Sequence, residues 1–264
     1  MQIDSIQALL PVVRTAAKKA FRAQANRDVK RELKTDGSVV TLVDQQVETE
    51  LVKNIHRLFP GANILSEETV FSQHADLPYT FVIDPIDGTD VFSQGMPGWC
   101  ISIGLLDQHL IPIAGIIDAV ALNLLFFADV GHPATLNGTP INPADRPQQL
   151  SANSSIMVPA SVHKQMDLSA FPGKIRSIGS AALHLCFPLI YPNVVATIET
   201  RGTHIWDIAG AHAVNRSLGF DFEFFDGHKI EYTALLDGSP AGETILAGAP
   251  ERIAELRGYL RKSA

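Results

Sequence analysis

The sequence predicts an α/β or α+β chain, and three observations carry that expectation. Hydrophobic residues make up 46% of the 264, enough for a large buried core and outside the composition of disordered chains. Apolar residues recur at helical spacing between Ile3 and Leu58. From Phe81 onward the pattern changes to short apolar runs divided by Gly, Pro, Asp or Asn, as strands are.

Taken in order, Ile3, Ile6, Leu9, Leu10, Val13, Ala17 and Phe21 predict a first helix, with Pro11 marking a kink or a later start. Thr41 to Phe59 places Val43, Val47, Leu51, Ile55 and Leu58 on one face, carries Asp44 near its beginning and meets a stop signal at Pro60-Gly61. The runs FVI (81–83), CISIGLL (100–106), IPIAGII (111–117) and LNLLFFA (122–128) predict strands of one sheet, joined partly by hairpins. After the polar, proline-rich LNGTPINPADRPQQ (136–149), strand-like IMV (156–158), VVATIE (194–199) and ILAG (245–248) alternate with helical Ala181–Ile190, Ile208–Leu218 and a last helix from Glu251. The polar stretch supplies the only break, dividing an N-terminal α+β subdomain (1–145) from a C-terminal α/β subdomain (146–264) of one compact unit. No Gly/Ser linker or internal repeat marks any other boundary.

Lys and Arg total 21 against 28 Asp and Glu, a formal charge of −7, which argues against a surface built to neutralise a nucleic-acid backbone. No run approaches ~20 apolar residues, and Asp4 precedes the basic residues of the N-terminus, the reverse of a signal peptide. The expectation is a soluble cytoplasmic protein that engages no membrane. Cys100 and Cys186 stand in apolar surroundings without C-x-x-C spacing, as buried free thiols do. The nine His show no H-E-x-x-H pattern, so each reads as a structural or surface residue.

Whether the surplus carboxylates cluster is therefore the informative question. Phe81-Val82-Ile83-Asp84-Pro85-Ile86-Asp87-Gly88-Thr89 is a buried strand ending in two aspartates three residues apart. Strand ends of α/β sheets are where ligands bind. Pro85 restricts Asp84, and Gly88 lets backbone N–H groups approach an anion. Hard cations such as Mg²⁺ take oxygen ligands of this kind, and a plain Asp-Gly turn reads equally well from these residues alone. Glu67-Glu68 follows another short apolar run. Asp207, between Trp206 and a small-residue helix start, has an N-cap as its simpler reading.

Together, S-E-E-T (66–69), D-P-I-D-G-T (84–89) and W-D-I-A-G (206–210), in that order, resemble the inositol monophosphatase family of Mg²⁺-dependent phosphatases. The resemblance runs from about Lys34 to the C-terminal helix, taking in K-T-D-G-S-V-V-T-L-V-D-Q (34–45) with Asp44, and R-S-I-G-S-A-A (176–182). It implies a layered α-β-α-β-α sandwich, a homodimer, two or three Mg²⁺ ions and Li⁺ sensitivity. Glu67, Asp84 and the Ile86 carbonyl would ligate a first metal, Asp84, Asp87 and Asp207 a second, and Glu67 a weaker third, so that most ligands lie before residue 145. Thr89, with Glu67 and Asp44, would orient and deprotonate the attacking water. The N–H groups of Gly88 and Thr89 would hold phosphate oxygens, and Gly179, Ser180 and Ala181 would approach the substrate, which also meets Asp87 and Asp207.

The implied reaction is hydrolysis of a small phosphate monoester, inositol monophosphate being the family default. Fructose 1,6-bisphosphate, 3′-phosphoadenosine 5′-phosphate and histidinol phosphate are rival substrates, and a regulatory or binding protein on the same fold is the alternative of another class. Such chemistry needs gathered carboxylates because the ester is anionic, and the carboxylates need cations to coexist. Two departures from the family pattern stand out. Asp90 follows D-G-T where the family carries Thr-Asn-Phe, and a local turn hydrogen bond is the expected use of it. Thr200 stands where inositol-selective members have a carboxylate; beside it Arg201 either meets a second charged group of the substrate or forms an exposed ion pair with Glu199.

Overall fold

A computed structural model describes residues 2–27, 29, 31–33, 39–69, 74, 77–143 and 149–263. The stretch 34–38 of the Asp44 motif and the expected 145/146 boundary lie outside the described residues. Helix α1 (Leu10–Ala25) starts later than Ile3, with Pro11 in its first turn, where a missing N–H costs nothing. Its buried stripe is Val13, Ala16, Ala17, Ala20 and Gln24, and Phe21 is exposed. Strands β1 (Arg31–Leu33) and β2 (Val39–Thr41) pair antiparallel before α2 (Leu42–Leu58). Thr41 is the N-cap of α2: its hydroxyl accepts from Val43 N–H at 3.2 Å while Asp44 accepts from Thr41 N–H at 3.0 Å, a reciprocal capping box.

Then follow β3 (Asn63–Ser66), β4 (Thr80–Asp87), short α3 (Thr89–Ser93), β5 (Cys100–Leu106), β6 (Pro112–Ala119), β7 (Leu124–Ala128), β8 (Thr135–Leu136) and β9 (Thr139–Pro140). They form a seven-stranded sheet in chain order, parallel between β3 and β4 and antiparallel thereafter. The rest of the chain gives β10 (Ser155–Met157), β11 (Met166–Asp167), β12 (Lys174–Arg176), α4 (Ala181–Ile190), β13 (Val194–Glu199), α5 (Ile205–Arg216), β14 (Asp221–Phe224), β15 (Ile245–Gly248), α6 (Pro250–Arg257) and β16 (Arg261–Lys262). A five-stranded sheet runs in the order β12-β10-β13-β15-β14, and β11 pairs with β16.

Side-chain alternation sorts these elements into layers. Phe81 and Ile83 of β4, with Ile101, Ile103 and Leu105 of β5, pack under Val13 and Ala17 of α1 and Val47, Leu51 and Ile55 of α2. Val82, Cys100 and Ile117 point the other way, into a core shared with Leu185 and Cys186 of α4, Ile208 and Ala211 of α5, and Ile245 and Ala247 of β15. The far face of the second sheet, Ile156, Val195, Ile198 and Leu246, covers Ile253 and Leu256 of α6. The order is α1/α2, seven-stranded sheet, α4/α5, five-stranded sheet, α6: the α-β-α-β-α sandwich. Both cysteines are buried and free. No helix among the described residues is long and apolar enough to cross a membrane.

α4 and α5 lie between two sheets, so they are buried nearly all round, and α4 is apolar almost throughout. Pro188 inside α4 removes the N–H that would bond the His184 carbonyl, and the Thr197 hydroxyl of β13 donates to that carbonyl at 2.6 Å instead. α5 lies directly against the first sheet because glycines face each other: a Cβ on Gly115 would sit 2.3 Å from the Gly210 carbonyl oxygen, and one on Gly104 2.7 Å from Gly210 N. Gly115→Ala is expected to lose roughly 1–3 kcal/mol or more of unfolding free energy in urea titrations, since backbone must shift. Gly242→Ala, with open space about its Cβ, is expected to stay within about 0.5 kcal/mol.

Candidate metal and phosphate site

The register of β4 against β5 creates the site. Asp84 pairs with Ser102 and Asp87 with Cys100, so three steps on β4 oppose two on β5. Residues three apart on a regular strand face opposite sides; the extra residue brings Asp87 round to the side of Asp84. Pro85, which has no N–H to offer the ladder, sits within the irregularity. Asp84 then bonds its own turn, accepting from Ile86 N–H at 2.9 Å. The sharp exit uses Gly88 at φ +92°, a left-handed backbone suited to glycine, before Thr89 opens α3.

Asp207 arrives from α5. It is not the N-cap, as its sequence context suggested, but the third helical residue: His204 is the N-cap and donates its N–H to Asp207 Oδ2 at 2.6 Å. The glycine contacts that seat α5 on the sheet carry this carboxylate to the end of β4. One ligand atom from each of Asp84, Asp87 and Asp207 lies within 4.8 Å of the others.

α4 holds Asp87 from the other side. Ser180 Oγ donates to Asp87 Oδ2 at 2.5 Å, Ala182 N–H to the same oxygen at 2.7 Å, and Ala181 N–H to Oδ1 at 3.2 Å. Three donors at a helix N-terminus fix the orientation of one carboxylate. Ser180 is fully buried, also caps Leu183 N–H, and lies 3.3 Å from the Cys100 thiol. Its hydroxyl thus orients Asp87 from below, and the open face is left to Gly179 and Ala181. Gly179, at φ +115°, lets the 176–182 loop close over Val91, whose methyl would lie 2.5 Å from an added Cβ.

Burial and mutual repulsion govern the charges. Burial first, then Glu67, Asp87 and Asp207, push Asp84 well above the ordinary carboxylate range. Burial and Asp87 do the same to Asp207. Asp87 is raised by burial while its Ser180, Ala182 and Ala181 donors pull it down. Asp44, on α2 beside this group, is raised to about 6 by burial, opposed by hydrogen bonds from Thr41 and Thr89. The Thr89 hydroxyl lies 2.9 Å from Asp44 Oδ1 and 2.8 Å from the Ile86 carbonyl oxygen.

Two of these carboxylates, Asp87 and Asp207, border a cavity of about 340 Å³ that is also lined by Gly179, Ala181, Thr200 and Arg201, together with His184 and Glu199. Glu67 follows β3, donates its N–H to the Ile83 carbonyl at 3.2 Å and acts by its charge on Asp84 and Asp207. Asp90 lies outside the cluster. It is exposed in α3, where it accepts from Gln94 at 2.9 Å and from Arg31 at 3.1 Å, a helical i to i+4 bond rather than the expected turn bond.

Three side chains shape the site without a sequence signal of their own. Glu48 of α2 is buried and accepts from Ser66 Oγ at 2.8 Å and Glu68 N–H at 3.0 Å, bracing the loop that carries Glu67. Its only hint is its place one turn after Asp44. His184 and Glu199 form a buried pair, Nδ1 to Oε1 2.7 Å. His184 Nε2 accepts from Ile178 N–H at 2.9 Å, which puts the ring proton on Nδ1 and makes Glu199 its acceptor. Glu199 is therefore not an exposed partner of Arg201, and His184 is no surface residue. The strand of Glu199, β13, is buried throughout, which brings the carboxylate inward.

Comparison with known proteins agrees with this geometry. The model of the inositol monophosphatase family matches residues 2–258. A fructose-1,6-bisphosphatase/inositol-1-monophosphatase of Thermotoga maritima is 30% identical over 201 residues, covering 72% of each chain. Among solved structures, the extragenic suppressor protein suhB of Bartonella henselae superposes with TM-score 0.78 at 22% identity, over 96% of this chain and 98% of that one. An IMPase/NADP phosphatase complexed with Mg²⁺ and phosphate gives TM-score 0.76 at 20% identity, over 95% of each. By its sequence across almost its whole length, this chain belongs to the inositol monophosphatase family.

Proposed function

We propose that the protein is a Mg²⁺-dependent phosphatase that hydrolyses a small phosphate monoester of a sugar or polyol. The observation that carries this reading is the convergence of Asp84, Asp87 and Asp207 within 4.8 Å, beside the Asp44–Thr89 pair, with Asp87 and Asp207 lining a cavity of ligand size. Three carboxylates this close, with burial already opposing their charge, fit a hard divalent cation held by oxygen donors. Asp84, Asp87, Asp207, Glu67 and the Ile86 carbonyl would hold the metal. When bound, Mg²⁺ supplies charge neutralisation of the ester and Lewis-acid polarisation.

The chain's own residues do the rest. The N–H groups of Gly88 and Thr89 offer donors to phosphate oxygens, and such donors stabilise the charge that spreads over them in phosphoryl transfer. A Thr89 hydroxyl that gives its proton to Asp44 Oδ1 turns its lone pairs outward to accept a hydrogen bond from water. Asp44, raised to about 6, is ionised at neutral pH and basic enough to draw that proton. Gly179 and Ala181 form the wall against which the alcohol lies. A regulatory role on the same fold, suggested by the likeness to the suhB protein, leaves this set of ionisable groups without a use, so hydrolysis is the better reading.

Turnover of inositol 1-phosphate, fructose 1,6-bisphosphate, 3′-phosphoadenosine 5′-phosphate and histidinol phosphate in Mg²⁺ tests the reading, with activity expected on at least one. Inactivity on all four overturns it. In ¹⁸O-water a single turnover is expected to put one label into phosphate and none into the alcohol. Asp44→Asn and Thr89→Ala are each expected to lower kcat by roughly 10²–10⁴.

Metal and pH are linked through the carboxylates. Asp84 has a raised pKa in the folded state, so it contributes stability below the unfolded value of 3.8 and loses it as pH rises through the folded value. Asp84→Asn keeps an acceptor for Ile86 N–H. Without metal it is therefore expected to melt higher than the wild type at pH 8, and at nearly the same temperature at pH 3.5. Mg²⁺ is expected to raise the wild-type melting temperature more at pH 8 than at pH 5, because protons compete for the ligands, and to leave the variant nearly unmoved. A wild-type melting temperature indifferent to Mg²⁺ at both pH values would contradict the metal assignment.

A further inference from the structure

The rim of the cavity holds a cation that the reaction at the carboxylates does not use. Of the residues lining it, Arg201 alone carries a permanent positive charge. Glu199, two residues away, turns its carboxylate inward to His184 Nδ1. His184 has both ring nitrogens engaged, one by Glu199 and one by Ile178 N–H, so it offers an anion nothing. The Thr203 hydroxyl is bonded to the Thr200 carbonyl at 2.8 Å. Among the described residues the Arg201 guanidinium forms no ion pair.

Its backbone, by contrast, is clamped. Gln165, in the connection before β11, accepts from Arg201 N–H at 3.0 Å and donates to the Arg201 carbonyl at 3.2 Å. Both arms of one amide hold the peptide on either side of a side chain that makes no bond of its own among the described residues. Gly202, at φ +108°, completes the turn, and Gly202 N–H is fixed to the Ala241 carbonyl at 3.3 Å. A pinned backbone carrying a guanidinium with no ion pair among the described residues, at the rim of a cavity that Asp87 and Asp207 also line, is the arrangement for a second oxyanion.

We propose that Arg201, positioned by Gln165, receives a second phosphate group on the substrate, so that the protein favours bisphosphate esters over monophosphates. The inference rests on the phosphatase reading for the identity of the first phosphate. Loss of a charge-assisted bond costs roughly 10- to 100-fold in affinity. In Arg201→Gln the ratio of kcat/KM for fructose 1,6-bisphosphate to that for inositol 1-phosphate is expected to fall by that factor. Arg201→Lys is expected to recover part of it, and Gln165→Ala to lower the same ratio less, through KM. An unmoved ratio in Arg201→Gln, or an equal fall for both esters, overturns the proposal. Titration calorimetry in Mg²⁺ on Asp44→Asn, which blocks turnover, separates the two readings. If the wild type hydrolyses none of the four esters, the phosphatase reading fails alone. The bisphosphate must then still bind more tightly than the monophosphate by an amount that Arg201→Gln removes, or the Arg201 site fails too.

Discussion

The structure turns on one electrostatic constraint: Asp84, Asp87 and Asp207 must be held together where burial disfavours the charge of all three, Asp87 and Asp207 both oppose the ionisation of Asp84, and Asp87 opposes that of Asp207. Nothing local does this. Asp84 and Asp87 share a side because of a register break in one sheet; Asp207 comes from a helix more than a hundred residues later; Asp87 is oriented by the start of another helix. The sandwich answers with backbone. Three donors from α4 and its cap hold Asp87, Ile86 N–H holds Asp84 and His204 N–H holds Asp207. Donors of this kind favour the charged form and partly offset burial. The repulsion that remains makes the empty site costly and the cation-filled one favourable, a local instability that function requires and the packed layers absorb.

The glycine contacts beneath α5 belong to the same constraint. An ordinary helix–sheet separation leaves side chains between the layers. Gly104, Gly115 and Gly210 remove them, so that the first turn of α5 reaches the end of β4. Small residues here set a distance. Arg14 of α1 pairs with buried Asp118 of β6 on the opposite side of the sheet, so the strands beneath α5 are held from both faces.

Much of this was legible in the sequence wherever the cause is local. The helix expected over Thr41 to Phe59 from its apolar stripe, with Asp44 near its beginning and Pro60-Gly61 beyond its end, is α2 (Leu42–Leu58). CISIGLL, VVATIE and ILAG are uninterrupted buried runs, and their strands have the expected bounds. Where the cause is long-range, the reading stopped short. FVI extends to an eight-residue strand because β5 supplies partners past Asp84, across an irregularity no single strand reveals. Short edge strands such as β12, exposed throughout, lack any apolar alternation. α5 begins at Ile205, earlier than Ile208, because its cap is a histidine, outside the usual capping residues. The carboxylates of the site were legible as a family pattern. Glu48, His184, Glu199 and Gln165 were not, since each acts on backbone or side chains distant in sequence.

α4 shows how these levels join. Its first residues hold Asp87 by backbone N–H groups. One turn on, the His184 ring reaches back to Ile178 N–H, fixing the loop that crosses the mouth of the cavity. Pro188 frees the His184 carbonyl, and Thr197 takes it; Glu199, two residues further along the same strand, takes the ring. β13 therefore grips His184 at two points on one face, as a period of two requires. It then turns out of the sheet through Thr200 into Arg201. The strand that steadies the loop on one side of the cavity thus carries the cation on the other. A shift of β13 would move both together, so the spacing between the carboxylate end and the cationic rim is a property of a sheet rather than of a loop.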